Sequence, residues 1–238
     1  MSCETDPAAS LAGRCSIHRI GFERQPVLMI DSFMPEPAEL VAYGKGADSF
    51  RASPHDYYPG VRKPTPPEYA ADLCATYAKL LREVFAFGET APRTLLSALS
   101  ITTTEPNKLR PIQRLPHFDT SDPRQLAVVH YLCDAHHGGT SFYRHRKTGY
   151  ETISQDRLKG YAELLKQQVM TEYDPPPRYM DGDNPLFERV ASFEAQFNRA
   201  LIYPGNLLHS GNIQQLTTEV HCVRTARLTV NTFLRFSA

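Results

Sequence analysis

The chain has 238 residues, enough to bury one sizeable core. Its 26 Lys and Arg balance 26 Asp and Glu, so the basic surplus typical of phosphate-backbone binders is missing and no nucleic-acid partner is expected. No apolar run is long enough to span a bilayer, so no membrane partner is expected either.

Residues 1–16, MSCETDPAASLAGRCS, lack the apolar stretch and basic flank of a secretory signal and are expected to form a loosely docked lead-in. The five cysteines are odd in number, widely spaced and never in a CxxC pair, which speaks against a disulfide framework or a structural zinc site. A reducing cytoplasm is the expected compartment. Cys74 and Cys133 are expected as small buried hydrophobes.

Val27 to Asp31 (VLMID) predicts a short strand. Pro35-Glu36-Pro37 then opens a helix running to about Tyr43, because proline is tolerated in a first turn, and Gly44 and Gly46 end it. Residues 51–67 read as an ordered proline-rich loop. Within it Tyr57 to Arg62 either walls a substrate pocket or packs as a surface loop. Glu68 to Phe87 carries Leu73, Tyr77, Leu80, Leu81 and Val84 at helical spacing, so this helix should lie on the back of a sheet.

From Leu95 the texture changes. Leu95–Thr104, Leu126–Leu132, Gly139–Tyr143, Arg199–Tyr203, Asn206–His209 and Arg227–Phe236 predict short strands separated by turn residues, the pattern of a sandwich or jelly roll. Residues 145–197 interrupt the series. Gln155 to Met170 reads as a helix there, followed by the irregular TEYDPPPRYMDGDNP, and a lid or binding loop is expected. The expected organisation is one domain. Residues 1–94 supply a strand and supporting helices; residues 95–238 form the jelly-roll core with an insertion at about 145–197.

The chemistry concentrates in three places. His117 and Asp119 stand at i and i+2, which on a strand share one face and reach one ion. His209 follows a Pro204-Gly205 turn, after which Leu207-Leu208 should begin the strand that brings it alongside. Two imidazoles and one carboxylate can occupy one face of an iron ion and leave the other open. Arg227, Thr229, Asn231 and Phe233 alternate with Leu228, Val230, Thr232 and Leu234, so the last strand should turn an apolar face to the helices and a guanidinium and hydroxyl inward. A buried guanidinium needs a carboxylate, from an internal Asp or Glu or from a ligand. Arg224 is a rival facing the other way, and His221 a weaker rival to His209. His130 is expected in the core and His136-His137 in a solvated turn. No GxSxG, Walker A or GxGxxG context appears.

Five segments taken together, PHFD (116–119), LAVVHYLC (126–133), GGTSFY (138–143), LIYPGNLLHSG (201–211) and RLTVNTFLRF (227–236), resemble the iron(II)/2-oxoglutarate-dependent dioxygenases in their prolyl 4-hydroxylase-like branch. The resemblance implies a mainly β fold, a double-stranded β-helix with flanking helices. It implies His117, Asp119 and His209 as ligands of Fe(II). Arg227, assisted by Thr229, would pair with the distal carboxylate of 2-oxoglutarate, with Tyr131 as a second contact. O2 would be the other co-substrate, and a small molecule or peptide the compound hydroxylated. Asp119 argues for hydroxylation over halogenation, since halogenating relatives lack that carboxylate. The chain departs from the branch in using arginine where lysine is frequent, and in its long insertion. Two alternatives use the same residues: a cupin-like binding or scaffold domain without turnover, and a zinc-dependent hydrolase with a metal-bound water. Arg227 favours the oxygenase, because neither alternative needs a keto-acid anchor.

Overall fold

The computed structural model describes residues 14–45, 50–52, 57–214, 216 and 225–237. Among these residues ten strands form two sheets. The larger has seven strands in the order β1-β2-β8-β5-β10-β4-β3, the smaller three in the order β7-β6-β9. The members are β1 (Cys15–Ile20), β2 (Gln25–Ile30), β3 (Gly60–Pro64), β4 (Pro92–Thr102), β5 (Gln125–Tyr131), β6 (Thr140–His145), β7 (Phe187–Phe193), β8 (Arg199–Pro204), β9 (His209–Gly211) and β10 (Leu228–Phe236). Helices α1 (Pro37–Gly44), α2 (Pro67–Phe85) and α3 (Gln155–Thr171) complete the fold.

Side-chain alternation builds four layers. Leu126, Val128, Leu228, Val230 and Ile202 point from the larger sheet to the helices, where they meet Leu73, Tyr77 and Leu81 of α2. Ala127, Tyr131, Leu201 and Tyr203 point the other way, against Phe142 and Phe193 of the smaller sheet. On the far side of the smaller sheet, Tyr143 and Phe187 pack on Tyr161, Leu158 and Leu165 of α3. The alternation expected for β10 holds: Leu228, Val230 and Leu234 join the helix-side core, and Thr229 pairs with Tyr131 on the inward face.

Four expectations are corrected. The proline-rich segment 51–67 contains β3, an edge strand on β4 that closes with Pro64, a position where a missing N–H costs no ladder bond. The lead-in ends in β1, which pairs with β2 as a hairpin. The interruption is shorter than 145–197, because β7 pairs with β6 as part of the smaller sheet. In place of a strand starting at Asn206, a tight turn in which Leu207 N–H donates to the Pro204 carbonyl (3.1 Å) delays β9 to His209. Helix α3 packs on the smaller sheet. Gly46, His221 and Arg224 lie outside the described residues. Among those described, no helix is long and apolar enough to cross a membrane. Cys133 is buried and Cys74 partly so.

His130 sits in the helix-side core, as expected, and its tautomer is fixed. The Asn198 amide pairs both ways with the Met34 backbone, so its Oδ1 must accept from His130 Nε2–H (3.1 Å), leaving Nδ1 to accept from the Tyr69 hydroxyl (3.2 Å). Burial lowers the His130 pKa to about 4, against the opposing pull of Asn198. Above the unfolded value of about 6.5 the ring is neutral in both states; as pH falls from there toward 4, the unfolded chain takes a proton the folded one refuses, and stability declines. Between pH 7.5 and 5.0 that decline should be about 2 kcal/mol for this ring. Urea unfolding at both pH values checks it: His130→Gln should lose about 2 kcal/mol less than the wild type over the interval, and equal losses contradict the assignment.

Candidate metal centre

His117 and His209 face each other across an isolated antiparallel bridge. His117 N–H donates to the His209 carbonyl (2.9 Å) and His209 N–H to the His117 carbonyl (2.8 Å), so the two side chains are directly opposed. Their rings lie 4.3 Å apart, centroid to centroid. Asp119 is brought in by the next contact. Both Asp119 N–H (2.7 Å) and Thr120 N–H (3.2 Å) donate to the Gly205 carbonyl, in the Pro204-Gly205 turn. His117 and Asp119 therefore meet without lying on a regular strand: one backbone bridge and one turn do the work expected of strand alternation. A Cβ on Gly205 would press on Thr120 Cγ2 (3.0 Å) and the Gln125 carbonyl (3.2 Å), so the close approach suits glycine.

One ligand atom from each of His117, Asp119 and His209 lies within 4.8 Å of the others. His209 Nδ1–H donates to the Leu207 carbonyl (2.8 Å), which fixes the tautomer and turns the Nε2 lone pair toward Asp119 Oδ2, 3.6 Å away. His117 Nε2 lies 3.9 Å from Asp119 Oδ1. Asp119 Oδ2 is buried with no hydrogen-bond partner. A buried carboxylate oxygen facing two imidazole nitrogens suits a divalent cation, and the donor set fits iron or zinc.

The electrostatics agree. Burial lowers the His209 pKa to about 4 despite the bond to Leu207. The His117 side chain is half exposed; desolvation within the cluster, with the neighbouring His209, lowers its pKa against the pull of Asp119. Both rings are thus neutral and ready to ligate. Burial pushes Asp119 up to about 6, opposed by His117 and Arg62.

The other expected residues gather beside this centre. Arg227 is buried, immediately ahead of β10. Its Nη2 donates to the Gly139 carbonyl (3.0 Å), its Nε has no partner, and its guanidinium carbon lies 5.8 Å from the Tyr131 ring centre. Among the described residues no carboxylate pairs with it. Thr229 and Tyr131 are cross-strand partners, and the Tyr131 hydroxyl bonds to Thr140 (2.6 Å).

Arg62, in the Tyr57–Arg62 stretch expected either to wall a pocket or to pack as a surface loop, lies on β3, stacks on Tyr58 (4.5 Å) and carries a charge that reaches Asp119. One residue escaped the sequence reading. Tyr203 on β8 packs edge-on against His209 (4.9 Å). Alternation along LIYPG, with Tyr203 inward like Leu201, was the available signal. His137, expected in a solvated turn, is buried and bonds to Asp134 (3.1 Å) and the Thr225 carbonyl (2.9 Å), tying the Gly138-Gly139 turn to the approach of β10.

Residues 12–234 match the model of a family described as "Family of unknown function (DUF6445)". The chain belongs to the DUF6445 family. No curated protein matches it. Among solved structures, this DUF6445 protein is similar to the non-heme alpha ketoglutarate dependent epimerase SnoN from nogalamycin biosynthesis, at 14% identity over 96% of this chain and 83% of that one, with a TM-score of 0.50. The epimerase SnoN in complex with Fe3+, alpha ketoglutarate and nogalamycin RO matches at 15% identity over 97% and 84%, also with a TM-score of 0.50. At these identities the likeness establishes the fold of this DUF6445 chain, a double-stranded β-helix.

In metal-free protein above pH 6, Asp119 is a charged carboxylate in a place that disfavours charge. A raised acid pKa costs stability above the folded value, and the cost fades as pH falls toward the unfolded one. Asp119→Asn should therefore stabilise the metal-free protein at pH 7.5, by up to about 3 kcal/mol. Thermal unfolding in the presence of a chelator measures this. A variant that melts below the wild type contradicts the strained-carboxylate account.

Proposed function

We propose that this protein is an iron(II)- and 2-oxoglutarate-dependent oxygenase that oxidises a small molecule or peptide. The observation that carries the reading is Arg227: a buried guanidinium with no described carboxylate partner, set beside a site of two imidazoles and one carboxylate. The alternatives explain the three ligands equally well, but they give that guanidinium no counter-charge among the described residues. SnoN, in complex with Fe3+ and alpha ketoglutarate, shares the fold and adds support.

Iron with 2-oxoglutarate and O2 supplies the oxidation. The chain's residues supply the rest. His117, Asp119 and His209 would hold the metal, and the Leu207 carbonyl fixes the His209 ring so that its Nε2 is free to ligate. Arg227, held by Gly139, pairs with the distal carboxylate of the keto acid through its planar fork. Thr229 and Tyr131 line the same inward face. The inner faces of both sheets exclude water. Asp119 fills the position that halogenating enzymes leave for a halide, so hydroxylation or a related hydrogen-removing oxidation is the proposed outcome. The assignment is to the superfamily. The prolyl 4-hydroxylase-like branch rests on motif resemblance, and the SnoN likeness is to an epimerase.

The test is conversion of 2-oxoglutarate to succinate. It should require Fe(II) and O2 and be abolished by His117→Ala, Asp119→Ala or His209→Ala, since a three-ligand site has no spare donor. Arg227→Gln should weaken 2-oxoglutarate binding by about a hundredfold or more while leaving Fe(II) affinity within about twofold, because removing one partner of a buried pair strands the other charge. Unchanged 2-oxoglutarate affinity in that variant would set the keto-acid assignment aside and move the zinc or scaffold reading ahead.

A further inference from the structure

Four tyrosines lie within electrostatic reach of the Arg227 guanidinium: Tyr58, Tyr131, Tyr179 and Tyr203. Three have their hydroxyls engaged inside the protein. Tyr58 bonds to Thr102 (3.1 Å), Tyr131 to Thr140 (2.6 Å), and Tyr179 donates to the Thr104 carbonyl (2.7 Å). The Tyr203 hydroxyl has no hydrogen bond to any described residue, although the side chain is only 2% exposed. A phenol O–H on the inner side of the site, with no partner from the described residues, is open to one from a bound molecule.

Its position says which group. Tyr203 stands on β8 opposite Ala127 of β5, on the inward face. Its ring is wedged edge-on between His209 (4.9 Å) and Phe142 (4.9 Å) and cannot swing away without breaking both contacts. Both the Asp119 carboxylate and the Arg227 guanidinium act on it electrostatically. With its ring against His209 on the inward face of β8, Tyr203 lines the space that a keto acid held at the His117–Asp119–His209 centre would enter.

We propose that Tyr203 is a direct binding residue for the co-substrate, its O–H donating a hydrogen bond to the 2-oxo acid that spans the metal and Arg227. This rests on the oxygenase reading. The Tyr131 hydroxyl is bonded to Thr140 and its ring lies beside the Arg227 guanidinium, so Tyr203 would add a donor that has no bond of its own to the described residues.

Tyr203→Phe tests this, since it keeps the ring and removes only the hydroxyl. Anaerobic protein loaded with Fe(II) is titrated with 2-oxoglutarate, and the visible absorption band of the chelate is followed. The wild type should show the band, and Tyr203→Phe should need about tenfold or more 2-oxoglutarate to reach half its amplitude, the loss expected for one hydrogen bond to a charged group. Tyr131→Phe should shift the midpoint much less. Fe(II) affinity without 2-oxoglutarate and the melting temperature of metal-free Tyr203→Phe should equal or exceed those of the wild type, because no protein bond is lost. Equal midpoints in the wild type and Tyr203→Phe overturn the assignment and leave the oxygenase reading standing. A parallel fall in Fe(II) affinity and melting temperature assigns Tyr203 to packing and overturns it too. No band in the wild type at saturating Fe(II) and 2-oxoglutarate overturns the oxygenase reading itself, and the role of Tyr203 with it.

Discussion

The site depends on the pair of backbone hydrogen bonds between His117 and His209. A hydrogen-bonded antiparallel pair places two side chains on one face a few ångströms apart, and here both are imidazoles. Residues 92 positions apart in sequence become direct neighbours without help from side-chain chemistry. The same short stretch fixes the third donor through the Gly205 carbonyl and the His209 tautomer through the Leu207 carbonyl. Geometry, protonation state and orientation of the candidate ligands all follow from the backbone of residues 204–209.

That stretch is itself held from behind. Leu208 N–H donates to the Glu151 carbonyl, Ile153 N–H to the Asn206 carbonyl, and Tyr143 N–H to the Leu208 carbonyl. Glu151 is in turn gripped by the tip of the β1–β2 hairpin: its carboxylate accepts the N–H groups of Phe22 and Glu23 (2.9 Å each), at a turn where a Cβ on Gly21 would collide with it. Glu23 returns the contact, accepting from Glu151 N–H and from Arg157 of α3. The hairpin at one edge of the larger sheet thus clamps the start of the α3 segment, which backs the loop carrying His209. Such backing suits a site whose donors must converge within a few tenths of an ångström.

Much of this was legible in the sequence because it was written in spacing and alternation. The i, i+2 relation of His117 and Asp119, the Pro-Gly turn before His209 and the two-faced pattern of β10 each have a local signature. What escaped was set by partners distant in sequence. Strand β7 reads FERVASF, mixed in polarity, and becomes a strand because β6 offers its edge. Strand β3, GVRKP, is an edge strand whose proline suggested a loop. Tyr203 lay in a segment recognised as a strand, but only the finding that Tyr131 and Tyr179 are already bonded makes its free hydroxyl informative. The buried His137 was hidden because its partner Thr225 comes 88 residues later.

The central claim is that one metal ion and one keto acid bridge the His117–Asp119–His209 cluster and Arg227. The most direct measurement is a crystal structure of protein soaked anaerobically with Fe(II) and 2-oxoglutarate, with anomalous data collected at the iron edge. The account predicts a single strong peak among His117, Asp119 and His209, with 2-oxoglutarate chelating it and extending its distal carboxylate to Arg227. A metal peak elsewhere, or a metal at this site with no keto acid reaching Arg227 at saturating concentration, would contradict it.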